Sequence, residues 1–228
     1  MRFPMLPVAA LALFSLAAPA SADVLDFGTA SPLSICSSSA DGQGSLTACG
    51  DWGYLSQSYG DVAGVVDVTY RAPEISDSTS LRWWSTAYNN LYGVLFADGG
   101  DGNSTAQVDI VSLQSGQGIA LSHFDLGAYP NTSRGTTVTI SDLANGNVLY
   151  SFSGTVGSGN GVLPTAFDFA TPLVSSQGIR IQWMDSAYNV GIDNITYSVT
   201  AVPEPETYAM MLAGLALLAG LSRRGRKA

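Results

Sequence analysis

Helical periodicity is the first thing this sequence lacks. Between its two ends no stretch repeats apolar residues at the three-to-four spacing of an amphipathic helix. Helical bundles and α/β folds built on crossover helices are therefore excluded. Histidine is nearly missing as well, with one copy at His123, and there is neither a Gly-x-Ser-x-Gly elbow nor a Cys–His arrangement. Nucleophilic hydrolase chemistry finds no foothold in such a chain. Two cysteines and one histidine also fall short of a tetrahedral zinc site. Lysine occurs once, at Lys227, and charged residues make up only 12% of the chain, so nothing suggests a solvated helical surface.

What charge there is lies unevenly. Arg2, Arg223, Arg224, Arg226 and Lys227 sit at the extreme ends, whereas of the acids only Glu204 and Glu206 do. From Asp23 to Val202 that leaves four arginines (71, 82, 134 and 180) against sixteen carboxylates, a net charge of −12. Nucleic acid and anionic membrane surfaces are poor partners for such a body. Divalent cations, neutral glycans and basic partners stay open.

The ends read as processing signals. Arg2, an apolar run from Val8 to Ala18 and the small-x-small triplet Ala20-Ser21-Ala22 form a signal peptide over residues 1–22, with a mature chain from Asp23. The last residues, 202–228, begin Val202-Pro203-Glu204-Pro205-Glu206-Thr207. An apolar run from Tyr208 to Leu221 and a basic stop at Arg223, Arg224, Arg226 and Lys227 follow. As a helix that run covers ~21 Å, short of a ~30 Å hydrocarbon core, and local thinning can absorb the difference. The basic end stays cytoplasmic, while Pro203 and Pro205 hold the preceding segment extended, as a protease substrate must be.

This order of motif, short helix and basic terminus resembles the PEP-CTERM sorting signal. The resemblance implies an exosortase-type membrane protease as partner. It also implies delivery to the cell surface or extracellular matrix, with membrane anchoring through the C-terminal helix before or in place of processing.

Residues 23–201 form the exported domain, long enough for one well-filled core. Cys36 and Cys49, an even pair in an oxidising compartment, are expected to form a disulfide. Short alternating or β-branched runs recur at 24–27, 62–70, 81–88, 91–97, 106–113, 119–126, 136–141, 148–152, 166–169, 179–184 and 190–199. Turn signals separate them, and Asn145-Gly146 marks a hairpin. The pattern predicts an all-β, antiparallel two-sheet sandwich, jelly roll first and immunoglobulin-like second. In the run 119–126, alternation puts His123 with Ile119 and Leu121, opposite Phe124, as a half-buried strand histidine. Trp183 shares a face with Ile179 and Ile181 and reads as core. No partner is evident for 31–60.

Three segments, Ala120-Leu-Ser-His-Phe-Asp-Leu-Gly127, Ile179-Arg-Ile-Gln-Trp183 and Val190-Gly-Ile-Asp-Asn-Ile-Thr-Tyr197, resemble exported PEP-CTERM proteins with a galactose-binding-like jelly roll. The likeness implies a last strand at 190–197 beside a first strand at 24–27, and Asn194 serving a strand turn. It also implies structural Ca2+ with Asp26 and Asp193 as ligands. Independently, Asp98-Gly-Gly-Asp101-Gly-Asn103 packs oxygen donors onto flexible backbone, which suits calcium or simply a tight turn.

Trp83-Trp84 is the most suggestive surface feature. On a strand the two rings face opposite sides, so with one in the core the other either faces out, as a stacking platform for a sugar, or lies under a loop; the alternative is that the opposite sheet and the region 31–60 cover both. Tyr88 and Tyr92 follow as companions. Three functions stay open: a non-catalytic module binding extracellular polysaccharide, a ligand-free structural surface protein, and a polysaccharide-active enzyme. The last needs two carboxylates across one cleft.

Overall fold

The computed structural model describes residues 22–28, 34–76, 78–100, 104–158, 163–202 and 211–216. Ala20, Asp101, Asn103, Pro203, Glu204, Pro205, Arg223, Arg224, Arg226 and Lys227 lie outside them, as does the side chain of Ala22.

The described strands are, in order, β1 (Ala22–Leu25), β2 (Cys36–Ser37), β3 (Leu46–Thr47), β4 (Gly53–Leu55), β5 (Val66–Arg71), β6 (Arg82–Trp84) and β7 (Val94–Phe96). They continue with β8 (Ala106–Ser112), β9 (Gln117–Ala128), β10 (Arg134–Asp142), β11 (Val148–Val156), β12 (Thr165–Ser175), β13 (Gly178–Met184) and β14 (Val190–Ala201). Each of the eleven runs picked from sequence contains or overlaps one of these strands. Period-two patterning explains the clearest cases: in β5 Val66, Val68 and Tyr70 are buried, in β10 Thr136, Val138 and Ile140, and in β13 Ile179, Ile181 and Trp183.

Two antiparallel sheets result. One runs β11-β10-β13-β8-β5; the other runs β12-β9-β14-β7-β6-β4-β2-β3, with β1 beside β14. Within them β8-β13-β10-β11 faces β7-β14-β9-β12, the strand order of a jelly roll. As expected, β14 lies beside β1, with Leu25 opposite Ile195. The core between the sheets holds Trp183, Tyr70, Tyr197, Phe27, Phe124 and Leu121, all fully buried. The β10–β11 hairpin closes at the Asn-Gly pair, where Gly146 takes φ 74° and its N–H donates to the Asp142 carbonyl at 2.7 Å.

Two sequence expectations need correction. The region 31–60 does have partners: β2, β3 and β4 extend the larger sheet by pairing through β4 onto β6. Strands of two or three residues are too short to show alternation. His123 also leaves the Ile119/Leu121 face. One extra residue in β14 near Asn194 (φ 56°) and one in β9 near Ser122 offset each other, so both strands switch faces together. Phe124, Leu126 and Ala128 then point inward while His123 points out, half-buried, with Nδ1 2.8 Å from Asp168 Oδ1.

Cys36 and Cys49 are disulfide-bonded across a separation of 13 residues, and the loop they close carries β2 and β3. Replacing both by alanine is expected to cost about 3 kcal/mol in the chain-entropy account, read as a lower urea midpoint. Residues 211–216 are helical. Among the described residues no helix is long and apolar enough to cross a membrane.

Candidate functional site

Trp83 and Trp84 separate as strand geometry requires. Trp83 turns into the core, 5% exposed, and its indole N–H donates to the Phe27 carbonyl at 2.7 Å. It is therefore not a stacking platform. Trp84 turns the other way, onto the outer face of the larger sheet, where β7 supplies Phe96. There the two meet Trp52, Tyr88, Tyr129, Tyr188 and Asn189 around an open cleft of about 140 Å³. Tyr92 is exposed but is not among the cleft's lining residues.

The rings form a closed circuit. Tyr188 lies 6.0 Å from Trp52, Trp52 5.5 Å from Trp84, Trp84 5.7 Å from Tyr129, and Tyr129 5.4 Å from Tyr88. The Tyr88 hydroxyl closes it by donating to the Tyr188 carbonyl at 3.3 Å. Phe96 sits at the centre, 5.4–6.4 Å from Trp52, Trp84, Tyr88 and Tyr188. Several pairs are edge-on, including Trp52–Trp84 at 87° and Trp84–Tyr129 at 75°, so the rings make walls rather than one flat plate. Burial raises the Tyr88 phenol well above its usual range, aided by the neighbouring Tyr129 and Tyr188, and keeps it a neutral donor.

Three loops deliver the tyrosines on one local sequence: Ala87-Tyr88-Asn89, Ala128-Tyr129-Pro130-Asn131 and Ala187-Tyr188-Asn189. They are stitched together by main chain. Tyr129 N–H donates to Asn189 O (2.8 Å) and Asn131 N–H to Ala87 O (2.7 Å). Asn89 adds side-chain bonds to Ala128 N (2.5 Å) and Thr132 O (3.0 Å). Among the described residues, six of the seven non-glycine positions with positive φ lie on these loops or at Trp52. They are Trp52, Ala87, Asn89, Asn90, Asn131 and Asp185. Backbone held in that region costs of order 1–3 kcal/mol each for non-glycine residues and concentrates at ligand sites.

Trp52 (φ 72°) is held by an arginine clamp. Arg82 donates to the Trp52 carbonyl (2.5 Å), the Tyr54 hydroxyl (2.7 Å) and Asp98 Oδ2 (2.6 Å). Its guanidinium lies over the Tyr54 ring at 3.9 Å. Asp98, a candidate calcium ligand in sequence, thus gives this oxygen to Arg82. At the rim, Asp51 accepts the Ser85 N–H at 2.8 Å, and Arg134 Nε donates to the Tyr129 carbonyl at 3.1 Å.

Sequence reasoning found Trp84 and Tyr88 but missed Trp52, Phe96, Tyr129, Tyr188 and Asn189. The recurring Ala-Tyr-Asn triplet was the available signal, since two exact copies a hundred residues apart mark equivalent loops.

Asp26 and Asp193 meet near the β1–β14 junction. Asp193 Oδ1 accepts the Phe27 N–H (3.1 Å), and Asp26 Oδ1 accepts the Gly28 N–H (2.8 Å). Burial, opposed by hydrogen bonds from Phe27 and Asn194 and reinforced by the charges of Asp26 and Asp125, pushes Asp193 up to about 7. Unfolded, the group titrates near 3.9. Folding therefore takes up a proton between these values: the contribution of this group to stability is greatest below about 4 and is lost as pH rises to 7, by roughly 4 kcal/mol at most. In metal-free buffer Asp193→Asn, which keeps an acceptor for Phe27, is expected to melt increasingly above the parent from pH 5 to 8. A constant difference would contradict this. Among the described residues no group of three or more acids, cysteines or histidines is placed to hold a metal. Two carboxylates supply part of a calcium shell, which takes six to eight oxygens.

Residues 201–227 match the PEP-CTERM protein-sorting motif, a span containing Pro203-Glu204-Pro205 and all four terminal basic residues. The match marks an exported, exosortase-processed, surface-associated protein. No curated protein matches the chain. Solved structures similar to it include a GH26-CBM35 β-(1,4)-mannanase from Podospora anserina, at 16% identity and TM-score 0.34 over 60% of this chain and 29% of that one. Another is the family 11 carbohydrate-binding module of Clostridium thermocellum, solved with a β-1,3-1,4-mixed-linked tetrasaccharide, at 8% identity and TM-score 0.27 over 69% and 100%. A third is the exo-β-1,3-galactanase of Phanerochaete chrysosporium with galactose, at 13% identity and TM-score 0.29 over 68% and 30%. The chain spans less than a third of the mannanase and of the galactanase.

Proposed function

We propose that this exported protein is a non-catalytic module that holds extracellular polysaccharide at the cell surface or in the surrounding matrix. The observation that carries the reading is the ring of Trp52, Trp84, Tyr129, Tyr88 and Tyr188 about Phe96, an open aromatic cleft built on β6, β7 and the loops beside them. Such walls take the apolar face of a pyranose, with Asn189 to fix its orientation. Among the described residues that line it none is a carboxylate, whereas glycoside hydrolysis uses a facing pair, so binding is favoured over cleavage. A neutral cleft on a body of net charge −12 also suits an uncharged or cationic polymer better than an acidic one.

Retardation in native gels containing exopolysaccharide from the source cells tests this. The parent is expected to be slowed and Trp52→Ala, altered at an exposed position, to run freely. Equal retardation of both would place binding elsewhere. We further propose that the C-terminal helix contacts the membrane until an exosortase cuts the tail, and that Asp26 and Asp193, with main-chain carbonyls, hold a structural Ca2+. Calcium is then expected to raise the melting temperature of the parent at pH 8 and not that of Asp193→Asn.

A further inference from the structure

The cleft's chemistry is narrower than its aromatic content suggests. Sugars are fixed by several hydrogen bonds, and among the seven lining residues Asn189 alone carries a side-chain amide, the other polar groups being the ring N–H of Trp52 and Trp84 and the hydroxyls of the tyrosines. The Tyr88 hydroxyl is already committed to the Tyr188 carbonyl. At about 140 Å³ the cleft is also well below the ~300 Å³ at which pockets for larger ligands begin, so it takes one compact group. What it offers in abundance is ring surface: Tyr188, Trp52, Trp84, Tyr129 and Tyr88 in a closed circuit over Phe96, mutually tilted or edge-on.

Aromatic rings attract a compact cation held over their faces through the ring quadrupole, and alkylammonium groups, which need few hydrogen bonds, suit a site walled by several rings. The surrounding field agrees. The body from Asp23 to Val202 carries net −12, so cations are drawn toward it from a distance. Of the arginines near the rim, Arg82 is paired with Asp98, and Arg134 Nε is engaged by the Tyr129 carbonyl.

We propose that the cleft recognises an alkylammonium group, methylated on nitrogen, carried by the polysaccharide. The proposal rests on the glycan-binding reading of the same cleft and names the substituent it selects.

Displacement from immobilised exopolysaccharide tests it, using the full exported chain. The competitors are choline, its uncharged isostere 3,3-dimethylbutan-1-ol and sodium chloride at matched ionic strength. Choline is expected to release the protein at roughly one-tenth the concentration of the isostere, and beyond any effect of salt. In direct titration, choline is expected to quench tryptophan emission in the parent and to leave Trp52→Ala unchanged at an unaltered melting temperature. If the protein binds the polysaccharide through Trp52 and choline displaces it no better than the isostere, the ammonium proposal fails and the glycan reading stands. If choline binds while the polysaccharide does not, the glycan reading fails and with it the proposed carrier. Binding of neither overturns both.

Discussion

Trp183→Ala is expected to cost about 3–5 kcal/mol, the cavity left by a large core aromatic. The side chain is wholly buried on β13, and its indole N–H donates to the Val190 carbonyl at 2.8 Å, tying β13 to the start of β14. Truncation removes the ring and strands that carbonyl together. For a domain of this length the melting temperature is expected to fall by roughly 10 °C or more. Urea unfolding of the purified variant checks the figure. A loss near 1 kcal/mol would mean that the sheets close over the gap and that β13 does not fix their separation.

Arg82→Met is expected to weaken polysaccharide binding sharply while sparing the fold. The methionine keeps apolar bulk beside Tyr54 but loses the bonds to the Trp52 carbonyl, the Tyr54 hydroxyl and Asp98. Trp52 then has little to hold it at φ 72° and is expected to relax, opening the ring circuit between Tyr188 and Trp84. Affinity is expected to fall at least about tenfold, the equivalent of 1.4 kcal/mol. Lysine should not rescue it, because one ammonium cannot span three partners and lie flat on a ring. Parallel binding and melting curves separate the two effects: a loss of stability as large as the loss of binding would make Arg82 a general fold residue.

The sandwich was legible because its central strands obey period two. Val66-Asp-Val-Thr-Tyr and Ile179-Arg-Ile-Gln-Trp announce their buried faces directly. Where paired bulges break alternation, as at Ser122 and Asn194, the face of His123 was misread, since an extra residue leaves no compositional trace. Strands β2, β3 and β4 were invisible for a different reason: they are held by a disulfide and by pairing onto β6, not by local propensity. The cleft was half legible. Alternation put Trp83 and Trp84 on opposite faces of a strand, but no periodicity brings Trp52 and three separate tyrosine loops to the same place. Only the repeated Ala-Tyr-Asn triplet hinted at that convergence, and its meaning depends on main-chain bonds between loops distant in sequence.

Tryptophan emission is the most direct test of the aromatic cleft as a binding site. Trp83 and Trp183 are buried in the core, so a ligand in the cleft perturbs Trp52 and Trp84 alone. Titration of the exported protein with its cells' exopolysaccharide is expected to give a saturable emission shift in the parent and none in Trp52→Ala. No shift in the parent, or an undiminished one in the variant, would mean that the cleft does not bind the polymer.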